Sequence, residues 1–240
     1  MSNPDNYIVF DLEASCWLGR PPKGHNEVIE IGAVKYNREM KIVDEFQAFV
    51  KPATSDKLSE FCKDLTHITQ EDVDKADSFR DVIVRFQRWI TDDGTKKYIL
   101  LSWGKYDKNQ LGKDCVLHNL DSEWLKYHIN IKGKFSHVPG KKKPGMIKAL
   151  KILGLEFEGT HHRGIDDARN LGRIFERDHK AMLSRSKTNL EAAVDRVFNI
   201  LSGMQDEKLQ DEFENHKDHE LVTILLKHEK NRRITFKKSR

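Results

Sequence analysis

Three strand-like segments follow one another before any helical spacing begins. Tyr7 to Leu12 is a short apolar run, and Val28 to Tyr36 and Ile42 to Val50 are two more. The last two are joined by the polar turn Asn37-Arg38-Glu39, which signals an antiparallel hairpin. Helical spacing starts only afterwards, over Ser55 to Leu65 and Phe79 to Ile90, where Phe79, Ile83, Phe86 and Ile90 form one stripe. A strand from Tyr98 to Trp103 follows, then helices over Lys105 to His118, Ile147 to Leu153 and Ile165 to His179. A strictly alternating doubly wound sheet does not have this order. The pattern predicts an α/β fold: a mixed sheet with an antiparallel hairpin at one side, flanked by helices.

A polar break at Ser184, Ser186 and Lys187 ends this region. Beyond it Leu190, Val194, Val197 and Leu201 form another amphipathic stripe, and Leu209, Phe213, Leu221, Ile224 and Leu225 suggest a last helix or two. The chain therefore divides into a domain over 1–184 and a helical appendage over 185–240, whose apolar stripe must bury against the main domain or a protein partner. Net charge is +4, but residues 227–240 alone carry seven basic side chains against Glu229. The basic character is a C-terminal tail, and the remainder is mildly acidic.

Composition excludes several classes. Mean hydropathy is −0.69, and no apolar run approaches the roughly 20 residues of a membrane helix. The first ten residues lack a basic stretch followed by an apolar one, so no secretion signal is read. Cys16, Cys62 and Cys115 form no C-x-x-C pair, which disfavours a disulfide framework or a structural zinc site. A reducing, cytoplasmic setting is the expectation.

Chemistry concentrates in a few acids. Asp11 and Glu13 end the first strand, and residues i and i+2 share a strand face about 7 Å apart. Two carboxylates at the end of a buried strand repel unless a cation lies between them; a solvated strand end is the alternative. Asp107 heads the apolar row Asp107, Leu111, Cys115 and so faces inward, although the helix dipole alone favours an acid in a first turn. In His161-His162-Arg163-Gly164-Ile165-Asp166-Asp167, Asp166 heads the polar row with Asn170, Arg173 and Arg177. Asp167 instead shares the apolar row with Leu171 and Ile174 and points inward. His162, across Gly164, can reach the same pocket; His161 is set aside. A histidine is more often structural or solvated, and His162 gains weight only from these neighbours. Four inward acids and one histidine describe a two-metal hydrolytic site. Oxygen-only ligation selects Mg²⁺ or Mn²⁺.

Phe10-Asp11-Leu12-Glu13-Ala14, Ser102 to Asp107 and His162-x-Gly164-x-x-Asp167 resemble the three motifs of the DEDDh (DnaQ-like) 3′→5′ exonucleases. Among these the chain is most similar to the branch holding bacterial KapD proteins and the histone-mRNA and RNA-interference exonucleases. The stretches His25 to Glu30, Ile42 to Phe46 and Glu60 to Thr69 support it, and the resemblance spans about residues 5–180. It implies a ribonuclease-H-like mixed five-stranded sheet. It implies two ions, one held by Asp11, Glu13 and Asp167 and one by Asp11 and Asp107, with His162 as general base. The implied activity is 3′→5′ hydrolysis of single-stranded nucleic acid, RNA rather than DNA, releasing nucleoside 5′-monophosphates. A binding module that keeps the fold but hydrolyses little is the alternative reading.

Three residues are candidates for substrate contact. Leu12 lies between the two acids, though a core role fits it as well. Trp17, in the Gly- and Pro-bearing loop from Cys16 to Asn26, can stack on a base, or be an ordinary half-exposed aromatic. His67 stands where relatives often carry Gly in a Leu-Thr-Gly-Ile stretch near the terminal nucleotide. Lys132, Lys134, Phe135 and Lys141 to Lys143 form a basic loop with an aromatic, suited to phosphate contact or simply solvated.

Overall fold

The computed structural model describes residues 4–22, 24–91, 94–95, 97–135, 137 and 143–183. The expected appendage at 185–240 and its basic tail lie outside them. Three strands come first: β1 (Asn6–Ala14), β2 (Val28–Asn37) and β3 (Ile42–Phe49). Helices α1 (Glu60–Thr66), α2 (Gln70–Asp74) and α3 (Phe79–Thr91) follow, then β4 (Tyr98–Ser102) and α4 (Tyr106–Leu117). A 3₁₀ turn (Glu123–Lys126) leads to β5 (His128–Asn130) and the short α5 (Ile131–Lys134). Helices α6 (Met146–Ile152) and α7 (Gly164–Leu183) complete the described chain.

The sheet is mixed, in the order β3-β2-β1-β4-β5. β1 pairs antiparallel with β2 and parallel with β4, and β4 pairs parallel with β5. The expected hairpin of β2 and β3 is therefore one side of a five-stranded sheet. β5 left no readable signal, because three half-buried residues are too few to show a period.

The period-2 alternation of β1 divides two cores. Ile8, Phe10 and Leu12 face the cluster built on Phe79, Ile83 and Phe86 of α3 and Leu111 and Cys115 of α4. Tyr7 and Val9 face the opposite cluster, with Leu171, Ile174 and Phe175 of α7 and Ala149 and Leu150 of α6. Asp11 and Glu13 continue the odd-numbered face, so they project to the side that α7 covers. Because β1 and β4 run parallel, their carboxyl ends meet at one sheet edge, and the α4 N-terminus that follows β4 brings Asp107 there.

One boundary differs from the periodicity. The spacing predicts a helix from Ser55, but α1 starts after Ser59, whose hydroxyl accepts from Cys62 N. The preceding donors are already used: Ser55 N donates to the Glu27 carboxylate and Leu58 N to Gln70 Oε1. These bonds tie residues 55–58 to the start of β2 and to α2 in an irregular bend, so the helix begins only at the Ser59 cap. Glu27 itself is buried and also accepts from Ala53 N, Thr54 N and the Thr54 hydroxyl, which ties the loop before α1 to the start of β2.

Candidate active site

Asp11, Glu13 and Asp167 offer carboxylate oxygens within 4.8 Å of one another. β1 supplies the first two by its alternation, and the first turn of α7 supplies the third. α7 can come this close because β2 carries Gly32 opposite Asp11. A Cβ at Gly32 would stand 2.1 Å from Gly164 C and Ile165 N. The helix N-terminus thus rests on bare strand backbone. Glu30, paired in register with Glu13, accepts from Gly164 N at 2.9 Å and from the Arg163 guanidinium. That ion pair, with Glu30 fully buried, holds the loop entering α7 against the sheet.

Asp107 enters from the α4 side. Its side chain is buried, and the Ser102 hydroxyl and the backbone N–H groups of Leu12 and Asp107 favour its charged form. Burial pushes its carboxyl up to about 6, against the pull of those groups. Glu13 is pushed up to about 8, by burial first and then by the charges of Asp167, Glu30 and Asp107. Asp11 lies well above the usual carboxylate range for the same reasons, burial first and then Asp107, Asp167 and Glu13. Asp167 is raised by burial, while the His161 ring and the His162 N–H hold it back. Among the described residues no lysine or arginine forms an ion pair with Asp11, Glu13, Asp107 or Asp167. A buried oxygen-only cluster with this much uncompensated repulsion fits a hard divalent cation.

A stability measurement tests that electrostatic picture. The unfolded chain releases the Glu13 proton near 4.5, whereas the folded chain keeps it to about 8. Between these values the folded state binds more protons, so stability falls as pH rises. In EDTA the free energy of unfolding should decline from pH 5 to 8, by at most about 1.4 kcal/mol per pH unit for one proton. Mg²⁺ should flatten the decline. A flat or rising profile in EDTA would contradict the repulsion.

Both histidines lie beside Asp167. His161, which the sequence pattern set aside, brings Nδ1 within 3.0 Å of Asp167 Oδ1. His162 donates its backbone N–H to Asp167 Oδ2 at 3.0 Å. The two rings stack with centroids 4.0 Å apart. His162 has a left-handed backbone, φ +64°, and this turn folds adjacent side chains onto one another instead of spreading them. No periodicity in the sequence signals that. Burial, followed by the neighbouring His161 and His67, lowers the pKa of His162.

His67 is exposed and close enough to act electrostatically on His162. It is the C-cap of α1 at φ +56°, and its N–H closes onto Lys63 O. A left-handed cap favours Gly over a side chain with a Cβ. His67→Gly should therefore stabilise the chain by about 1 kcal/mol, read by chemical denaturation; a loss of stability would contradict the cap argument. Leu12 is buried in the α3-side core, and Trp17 is half-buried in the loop after β1. Phe135, expected in an exposed basic loop, is instead buried against Trp103, with ring centroids 5.7 Å apart. Lys141 and Lys142 lie outside the described residues.

Comparison with known proteins extends this picture. The family model described as Exonuclease (RNase_T) matches residues 8–175. The 3'-5' exoribonuclease 1 of Rattus norvegicus is 37% identical over 179 residues, covering 71% of this chain and 52% of the relative. The ERI1 exoribonuclease 3 of Homo sapiens is 33% identical over 176 residues, covering 70% and 52%. The chain thus spans about half the length of the curated relatives it matches. The crystal structure of the nuclease domain of 3'hExo, a DEDDh family member bound to rAMP, superposes with a TM-score of 0.69 at 36% identity, covering 75% of this chain and 94% of that one. A 3'-exonuclease in a structure of 3'-end recognition of a histone mRNA stem-loop gives 0.68 at 35% identity, covering 75% and 84%. The sheet order, the acidic cluster where β1, α4 and α7 meet, and these relatives agree: the chain belongs to the DEDDh exonuclease family.

Proposed function

We propose that the chain is a divalent-metal-dependent 3′→5′ exoribonuclease that removes nucleoside 5′-monophosphates from single-stranded RNA ends. The observation that carries this reading is the approach of Asp11, Glu13 and Asp167 to within 4.8 Å. Mg²⁺ or Mn²⁺, two ions held by Asp11, Glu13 and Asp167 and by Asp11 and Asp107, would supply charge neutralisation at the phosphodiester and acidify the attacking water.

The chain's own residues do the rest. The lowered pKa of His162 keeps its imidazole neutral at pH 7, able to take the proton of the attacking water. The Glu30–Arg163 pair and the His161 ring hold the loop and the Asp167 carboxylate in place. Trp17, in the loop after β1, His67, at the end of α1, and Leu12, between the two acids of β1, would contact the terminal nucleotide. Free Cys16, Cys62 and Cys115 suit the reducing cytoplasm. Residues 185–240 would serve a protein partner.

End-labelled RNA and DNA oligonucleotides, single- and double-stranded, test the proposal with Mg²⁺, Mn²⁺ or EDTA. A ladder shortening from the 3′ end of single-stranded RNA, absent in EDTA, is the expected result. Binding without shortening would favour a regulatory module. Cleavage that persists in EDTA would overturn the mechanism.

A further inference from the structure

Two donor sets share the Asp167 carboxylate. One is Asp11, Glu13 and Asp167, oxygen only; the other is His161, His162 and Asp167, whose ligand atoms also lie within 4.8 Å of one another. The second set is two imidazole nitrogens and one carboxylate oxygen, with a fourth position open to water. That is a zinc-type set rather than a magnesium-type one. We propose that His161, His162 and Asp167 form a second metal site, selective for a zinc-class ion, and that an ion bound there switches the nuclease off.

The donor atoms are close together, but the two rings stack with 11° between their planes, so one ring must turn before both nitrogens face one ion. His161 Nδ1 already stands 3.0 Å from Asp167 Oδ1 and 3.3 Å from Oδ2. The Asp167 side chain is 4% exposed and is held by the His162 N–H, so one ligand is fixed. The His161 side chain is 43% exposed, which gives an ion a route in and leaves the ring free to adjust. Ligand bonds of about 2.1 Å in a tetrahedron bring donors to roughly 3.5 Å from one another. The donors must therefore close by about an ångström and the stack must open; the half-exposed His161 ring is the one with room to turn. The nearby Asp11 and Glu13 add attraction for any cation.

The switch follows from the shared residue. An ion on the histidines occupies an Asp167 oxygen that the oxygen-only set needs. It also takes the His162 nitrogen lone pair that a general base uses. This consequence rests on the proposed exonuclease reading; the binding site does not.

The test uses the full chain freed of metal with EDTA and then exchanged into excess Mg²⁺. Zn²⁺ is titrated calorimetrically, and Co²⁺ is followed by its visible absorption. One ion per chain is expected to bind at this site, with tetrahedral Co²⁺ bands. His161→Ala and His161→Asn, the second keeping a hydrogen-bonding group beside Asp167, should each weaken Zn²⁺ binding about ten-fold or more. Asp166→Asn, one residue away on the same turn, should leave it unchanged. RNA shortening in Mg²⁺ should fall as Zn²⁺ is added. The half-inhibiting concentration should rise about ten-fold in both His161 variants, each measured against its own Mg²⁺ rate. Equal Zn²⁺ affinity in the wild type and both variants would overturn the site, as would equal inhibition. Site binding with no RNA shortening under any condition would overturn the exonuclease reading and leave the metal site standing.

Discussion

Asp11→Asn should lower Mg²⁺-dependent RNA shortening on the order of 10³-fold or more while making the metal-free protein more stable. Both effects have one cause. Asp11 faces Asp107, Asp167, Glu13 and Glu30, and its carboxyl is raised well above its ordinary range by burial and by those charges. Asparagine keeps the shape and removes one charge, so the folded state in EDTA should gain on the order of 1 kcal/mol. For a chain of this size that is roughly 2–4 °C in Tm. Adding Mg²⁺ should raise the wild-type Tm and move the variant far less, because an oxygen donor central to the cluster has lost its charge. Calorimetric melts in EDTA and Mg²⁺, beside the end-labelled RNA assay, check the three expectations together. A variant within ten-fold of wild-type activity, or one destabilised in EDTA, would refute the assignment.

Gly32→Ala should destabilise the chain by about 3 kcal/mol or more, near the top of the range for overpacking a tight contact. The added Cβ would stand 2.1 Å from Gly164 C and Ile165 N and 2.3 Å from Gly164 O. All three are backbone atoms, so no rotamer change relieves the contact. The α7 N-terminus must lift off β2, and Asp167 in its first turn moves with it. A shift of about an ångström in a catalytic group can cost on the order of 10²-fold in rate, so activity should fall even below the melting temperature. Gly172→Ala is the milder comparison. Its Cβ would meet the Tyr36 hydroxyl at 2.3 Å, the far end of a side chain, though a buried one. Gly145→Ala, with nothing within 4 Å, should be neutral. Denaturant melts of the three variants should rank in that order, and a Gly32→Ala variant as stable as wild type would contradict the close approach of α7.

Local rules made a good part of the site legible. Period-2 alternation put Asp11 and Glu13 on one face of β1, and helical rows turned Asp107 and Asp167 inward, where both are buried. The order of segments predicted the β2–β3 hairpin and a mixed sheet. Each of these is a property of a few consecutive residues, whose periodicity survives without reference to the rest of the chain. The family motifs then supplied the fifth strand that periodicity alone did not locate.

What the tertiary structure decided lies between elements distant in sequence, or at backbone angles that residue types do not dictate. The contact of His161 with Asp167 depends on the left-handed turn at His162. The proximity of His67 to His162 joins the end of α1 to the loop before α7. The pairing of Glu30 with Arg163 spans 133 positions. The inward placement of Phe135 follows from its packing against Trp103. Side-chain period reports which way a residue points on its own strand or helix. It carries no information about which other element stands opposite, because that is set by how all the apolar faces close together at once.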